Sequence, residues 1–121
     1  MPETGLLDPA SIRRIAAELD LKPTKQRGQN FVVDPNTVRR IVSLAGVTAE
    51  DVVLEIGPGL GSLTLGLLET GARVVVVEIE DRLAERLRQT VAERMGEEAA
   101  GRLEVVNADA LQVSSLPATP T

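Results

Sequence analysis

Three glycines stand at alternate positions in the stretch EIGPGLGSLT, residues 55–64. Gly57, Gly59 and Gly61 follow a short apolar run and precede a stretch with helical spacing. Because glycine has no side chain, these positions permit a tight turn and let a ligand approach the main chain closely. A plain strand-to-helix turn needs only one glycine. Three glycines at this spacing therefore favour a ligand-binding loop.

Acidic residues lie at the ends of the two apolar runs that follow the glycines. Glu78 ends the valine run in RVVVVEI, about 20 residues beyond the glycines, which is the spacing expected of a carboxylate that binds ribose hydroxyls. Asp109 follows the third run, RLEVVNAD. Either acid alone could be an ordinary solvated carboxylate. Together with the glycines they occupy three successive strand ends, at the edge where open α/β sheets bind ligands.

The spacing of apolar residues predicts the elements that position these groups. The two Asp-Pro pairs predict helix starts at residues 8 and 34, with the helices ending near Leu19 and at Gly46. Three apolar runs, DVVLEI, RVVVVEI and RLEVVNAD, predict buried strands. Helices are predicted between them over about 60–68 and 81–95, the second ended by Gly96. This alternation predicts an α/β fold with a parallel sheet of three strands and N-terminal helices.

The composition excludes several kinds of chemistry. The 121 residues include no Cys and no His, which excludes disulfides, a Cys nucleophile, a Ser-His-Asp triad and the common zinc sites, so we expect no metal. No apolar run is long enough to span a bilayer, and the N-terminus lacks the order of a signal peptide. We therefore expect a soluble, cytoplasmic protein with no membrane partner, and a monomer.

The charge is unevenly distributed. The net charge is −5, which argues weakly against nucleic acid, but residues 22–40 carry five basic side chains against Asp34 alone. Lys22, Lys25 and Arg27 lead this basic segment and could bind phosphates. A solvated charged surface is the alternative interpretation.

Four motifs carry a resemblance to a known family. GQNFVVDPNTVRRIV, EIGPGLGSLT, VVVVEIEDRLAERL and NADAL together resemble the ribosomal RNA adenine dimethyltransferases, from about Pro23 to Leu111. The resemblance implies a Rossmann-like class I S-adenosylmethionine methyltransferase fold with S-adenosyl-L-methionine as cofactor. It also implies an enzyme that dimethylates N6 of two adjacent adenosines near the 3′ end of small-subunit ribosomal RNA. The partner would be that RNA, or the 30S pre-ribosomal particle.

The resemblance further implies roles for individual residues. The glycine loop would line the cofactor pocket, one strand-end acid would bind the ribose, and the other would bind the adenine. A segment before the first strand would cover the methionine end. The implied cofactor-binding residues are Asn30, Val32, Gly57, Gly59, Glu78 and Asp109.

Two further roles concern the N-terminal third of the chain. Phe31, the only aromatic residue, would anchor the segment that carries Asn30. Lys22, Lys25 and Arg27 would contact RNA phosphates. The chain thus divides into an N-terminal helix and cofactor-covering segment, 1–33, and the first half of the cofactor-binding domain, 34–121.

The family's catalytic motif, Asn-Leu-Pro-Tyr, does not occur in this sequence. We therefore expect no catalytic residue in this chain, a motif that lies beyond Thr121, and a fragment that is inactive alone. Two alternatives stay open: a large-subunit ribosomal RNA adenine methyltransferase of the antibiotic-resistance type, or a non-catalytic RNA-binding or transcription-factor relative. A nicotinamide-dependent oxidoreductase is disfavoured, because its glycine fingerprint has a different spacing.

Overall fold

Two helices precede the sheet in the computed structural model, which describes residues 5–19 and 34–112. Helix α1 spans Pro9–Glu18, and helix α2 spans Pro35–Ala45. Each begins after an aspartate that caps it: Asp8 accepts a hydrogen bond from Ser11 N at 2.7 Å, and Asp34 accepts one from Asn36 N at 2.8 Å. These caps satisfy main-chain donors at the helix starts, and they confirm both predicted helices.

The three predicted strands form one parallel sheet. Strands β1 (Val52–Ile56), β2 (Arg73–Glu78) and β3 (Leu103–Asn107) lie in the order β1-β2-β3. Helix α3 (Ser62–Glu69) connects the first two strands, and helix α4 (Asp81–Gly101) connects the second and third. A short 3₁₀ helix, Ala110–Gln112, follows β3. The α/β architecture expected from the sequence is confirmed.

Helix α4 differs from its prediction at one point. Gly96 was expected to end the helix, and it does leave the helical conformation, with φ 88° and ψ 179°. The chain then resumes helical structure as far as Gly101. Only glycine adopts such a conformation without strain, so Gly96 kinks the element where the sequence predicted its end.

The hydrophobic core lies against one face of the sheet. Val74 and Val76 of β2 are fully buried in a cluster with Leu65, Leu68 and Leu87 of the connecting helices. Successive strand side chains point to opposite faces, so Val75 and Val77 face away from this cluster. On that second face Ile56 remains 62% exposed. None of the described helices is long and apolar enough to cross a membrane.

Polar contacts fasten α1 to the core. The buried Arg94 of α4 donates from Nε to the carbonyl of Gly5 at 2.7 Å and from Nη2 to the carbonyl of Leu6 at 2.9 Å. At the other end of α1, Glu18 pairs with Arg86 at 2.6 Å. Helix α1 is therefore held to α4 at both of its ends.

Helices α2 and α3 approach each other closely at Gly66. A Cβ atom added there would clash with Cγ1 of Val38 and lie 3.4 Å from Cγ2 of Val42. We expect Gly66→Val to lower the free energy of unfolding by about 1–3 kcal/mol, because overpacking forces the helices apart. Gly101→Ala is the control, since a Cβ there would meet no atom within 4 Å. Chemical denaturation measures the free energy of unfolding of both variants. Equal stability of the two would contradict the packing account.

Candidate functional site

The glycine loop connects β1 to α3 at the carboxyl end of the sheet. Gly57, Gly59 and Gly61 all have positive φ, at 68°, 61° and 100°. Gly57 N donates to the carbonyl of Val77 at 2.9 Å, which extends the pairing of β1 and β2 by one residue. Gly61 is the N-cap of α3 and supplies no side-chain cap. The main chain of this loop therefore turns in a conformation that side-chain-bearing residues rarely adopt.

The first and third glycines have different neighbours. A Cβ atom at Gly61 would lie 2.5 Å from Cδ1 of Leu87, so this glycine lets α4 pack against the start of α3. A Cβ atom at Gly57 would meet no atom of residues 5–19 and 34–112 within 4 Å. Gly57 thus borders open space at the sheet edge, as a ligand-lining position requires. Packing accounts for Gly61, whereas no packing contact with the described residues accounts for Gly57.

Glu78 ends β2 at the same edge. Glu78 is 5% exposed, and its Oε2 accepts a hydrogen bond from Glu80 N at 2.9 Å. That bond fixes the carboxylate and leaves Oε1 with no partner among residues 5–19 and 34–112. A fixed carboxylate with an unused oxygen can accept from a ligand hydroxyl.

Asp109 follows β3, and the two residues before it form hydrogen bonds with the end of β2. Ala108 N donates to the carbonyl of Glu78 at 3.1 Å, and Asn107 Nδ2 donates to the same carbonyl at 3.0 Å. Asp109 is half-buried, and its Oδ1 accepts from Leu111 N at 2.9 Å. Because Glu78 and Asn107 are partners in the parallel register, the two acids project from adjacent strand ends.

Glu55 supplies a third carboxyl group, beneath the glycine loop. Thr64, fully buried in the first turn of α3, donates from Oγ1 to Oε1 of Glu55 at 2.5 Å. The residue as a whole is half-buried, but its carboxyl group points into the protein. Burial raises the pKa of this carboxyl from 4.5 to about 7, while the Thr64 hydrogen bond opposes part of that shift. A large part of the group is therefore neutral at physiological pH.

The structure brings four of the predicted site residues to one edge of the sheet. They are Gly57, Gly59, Glu78 and Asp109. The other predicted site residues, Asn30, Val32, Lys22, Lys25 and Arg27, lie outside the described residues, as does Phe31. Within the part of the chain that is described, no group of three or more His, Cys, Asp or Glu side chains could hold a metal ion.

The prediction for the catalytic motif concerns the far end of the chain. Thr121, beyond which the motif is expected, also lies outside the described residues, which end at Gln112. The place of the motif after Thr121 therefore stays a prediction.

Sequence reasoning missed two contributors to the site, Thr64 and Asn107. The signal for Thr64 was its place in the first helical turn after the glycines, nine residues from Glu55. Asn107 lies two residues before Asp109. Nothing in the sequence indicates that its side-chain amide would donate to the Glu78 carbonyl.

Comparisons with known proteins agree with this geometry. The family model described as ribosomal RNA adenine dimethylase matches residues 8–119. A protein of Cutibacterium acnes named ribosomal RNA small subunit methyltransferase A is 69% identical over 122 residues. The alignment covers 100% of this chain but 41% of that relative, so the chain spans about two fifths of its length.

Solved structures share the fold. The 23S rRNA methyltransferase ErmE matches with a TM-score of 0.57 and 36% identity, over 70% of this chain and 32% of its own. The glycopeptide N-methyltransferase MtfA in complex with S-adenosyl-L-methionine matches with a TM-score of 0.51 and 26% identity, over 60% and 29% of the two chains. The sheet and its crossover helices thus have the class I S-adenosylmethionine methyltransferase fold.

The raised pKa of Glu55 predicts how stability depends on pH. The folded state binds a proton between pH 4.5 and about 7 that the unfolded state has released, so stability falls as pH rises through this window. Glu55→Gln keeps the size of the side chain and removes the charge. We expect the variant to gain up to about 3 kcal/mol relative to wild type between pH 5 and pH 8.

Denaturation curves of both proteins across this pH range measure the difference. Glu50→Gln is the control, because Glu50 is exposed and lies just before the same strand. Parallel pH profiles for wild type and Glu55→Gln would contradict the assignment of a neutral buried carboxyl.

Proposed function

The chain belongs to the ribosomal RNA adenine dimethylase family, and from this membership we propose that it is the N-terminal, cofactor-binding part of a ribosomal RNA adenine N6-dimethyltransferase. The full-length enzyme would use S-adenosyl-L-methionine to dimethylate two adjacent adenosines near the 3′ end of small-subunit ribosomal RNA. The observation that carries the proposal is the joint position of an open glycine loop and two carboxylates at adjacent strand ends.

Small-subunit RNA is favoured over large-subunit RNA by the degree of similarity. The relative named for the small subunit is 69% identical across the whole chain, whereas ErmE, named for 23S rRNA, is 36% identical over 70% of it. The partner we propose is therefore small-subunit RNA within a 30S pre-ribosomal particle, bound in the cytoplasm by a monomeric enzyme.

The residues present suit the cofactor. The open space beside Gly57 admits a ligand against the main chain, which a side chain there would fill. Oε1 of Glu78 would accept hydrogen bonds from the ribose hydroxyls, since Oε2 is occupied by Glu80 N. Asp109, with Oδ1 bonded to Leu111 N, would accept from the adenine amino group through its other oxygen. Asn30 and the main chain at Val32 would contact the methionine end.

The chemistry assigned to this chain is positioning. When bound, the cofactor supplies an activated methyl group on a sulfonium, a good leaving group that needs little acid or base assistance. The acids and the glycine loop would hold the cofactor so that the methyl group meets the adenine nitrogen in line. We assign no catalytic residue to this chain, and we place base positioning elsewhere in the full-length enzyme, beyond Thr121.

The ribose assignment is tested by Glu78→Ala in the full-length enzyme. Loss of hydrogen bonds to a charged acceptor should weaken S-adenosyl-L-methionine binding by about 1–3 kcal/mol, or roughly 5- to 150-fold. Isothermal titration calorimetry measures the affinity. Glu104→Ala is the control, because Glu104 lies on β3, where it pairs with Arg73 at the surface. Equal affinities of wild type and Glu78→Ala would remove Glu78 from the site.

The RNA assignment is tested by replacing Lys22, Lys25 and Arg27 together with Ala. Each phosphate contact that is lost removes counterion release, so the slope of log affinity against log salt should flatten by about 2–3. Cofactor affinity should change little. Filter binding to a small-subunit RNA fragment at several salt concentrations measures the slope, with the exposed Arg13→Ala as control. An unaltered slope in the triple variant would show that these residues do not contact RNA.

A further inference from the structure

The hydrogen bond between Glu55 and Thr64 spans the glycine loop. Glu55 lies two residues before Gly57, at the carboxyl end of β1, and Thr64 lies in the first turn of α3. The bond therefore joins the two elements between which the loop turns. Any ligand seated on the loop lies next to this pair.

No cation offsets the charge of Glu55 among the described residues. The two influences on its pKa are burial, which is the larger, and the Thr64 hydrogen bond. On β1 and β2, its cross-strand partner is Val76, and the next ionisable side chain on that face is another acid, Glu78. No described basic residue therefore neutralises Glu55 from within the sheet.

Several charged residues of the surrounding helices have partners of their own. On α3, the exposed Glu69 pairs with Arg39 of α2 at 3.1 Å. On α4, Arg94 donates to carbonyls of the N-terminal segment, and Arg86 pairs with Glu18 of α1. Leu83 and Leu87 of α4 belong to the same apolar cluster as Leu65 of α3.

We propose that Glu55 is a positioning residue whose carboxyl loses its proton to solvent when cationic S-adenosyl-L-methionine binds on the glycine loop. This inference rests on the proposed function and adds proton linkage to it. The hydroxyl of Thr64 can accept from the neutral carboxyl and donate to the ionised one, so the bond across the loop survives in both states. Binding changes the charge under the loop without rearranging the loop.

The reason lies in the charge of the ligand. The cofactor carries a sulfonium and an ammonium group, and a positive charge close to a buried acid favours the ionised form of that acid. The O–H bond of the carboxyl breaks, its electron pair stays on oxygen, and the proton passes to a buffer base. Glu55 thus carries little charge in the empty site, and in the occupied site it becomes an anion that complements the ligand.

Linkage fixes the size of the effect. With a free-state pKa of about 7 and a carboxyl that is fully ionised in the complex, binding should release about 0.9 proton from Glu55 at pH 6, about 0.5 at pH 7 and about 0.1 at pH 8. Over the same range the affinity for the cofactor should rise about tenfold because of this group.

The test is calorimetry of S-adenosyl-L-methionine binding to the full-length enzyme in buffers with different ionisation enthalpies. The dependence of the heat on the buffer counts the protons released. Wild type is compared with Glu55→Gln at each pH, because titration of the ligand itself cancels in the difference. Wild type should release about half a proton more than Glu55→Gln at pH 7. Glu50→Gln, a surface control, should behave as wild type.

Equal proton release by wild type and Glu55→Gln would overturn the inference while leaving cofactor binding intact. Absence of any binding heat in wild type would instead refute the proposed function. A second measurement does not depend on the variant folding: ¹³C NMR of glutamate carboxyls in wild type. One resonance should titrate near pH 7 in the free enzyme and at lower pH in the complex, and absence of such a resonance would overturn the proposal.

Discussion

The parallel register of the three strands is the constraint on which the site depends. Ile56 is opposite Val77, and Glu78 is opposite Asn107, so the strands end side by side. Main-chain bonds from Gly57 to Val77 and from Ala108 to Glu78 carry the pairing beyond the strand ends. A slip of one residue in either pair would turn the end groups to the opposite face and separate the acids from the loop.

The glycine loop combines a packing role with the proposed binding role in one short segment. Because Gly61 has no Cβ atom, Leu87 of α4 can pack against the start of α3. Gly57 borders space that none of the described residues fills. Beneath both, Glu55 is buried in its least costly form, the neutral acid. Such a group lowers stability as the pH rises from 4.5 to about 7, and functional sites are where proteins retain groups of this kind.

Much of this fold could be predicted because its signals are local. The Asp-Pro caps, the valine run of β2 and the glycines that follow helices each act within a few residues, and all of them appear in the structure. The prediction for Gly96 was only half right, because a local stop signal does not show whether packing restores the helix beyond it. Thr64 and Asn107 were missed because their roles depend on partners that the fold supplies, 9 and 29 residues away.

The residue types in the sequence and the geometry of the sheet edge both indicate different roles for the three carboxyl groups. A chain without His or Cys has few side chains that transfer protons near neutral pH. At this edge, burial raises the pKa of Glu55 to about 7, and the residue lies under the loop with Thr64 as its partner. Its position suits it to respond to a ligand's charge rather than to act on a substrate base. Glu78 and Asp109 are instead fixed by main-chain donors, which suits them to hold a ligand in one orientation. Under the proposed function, this segment would orient the cofactor, and methyl transfer from a good leaving group would require little beyond that orientation.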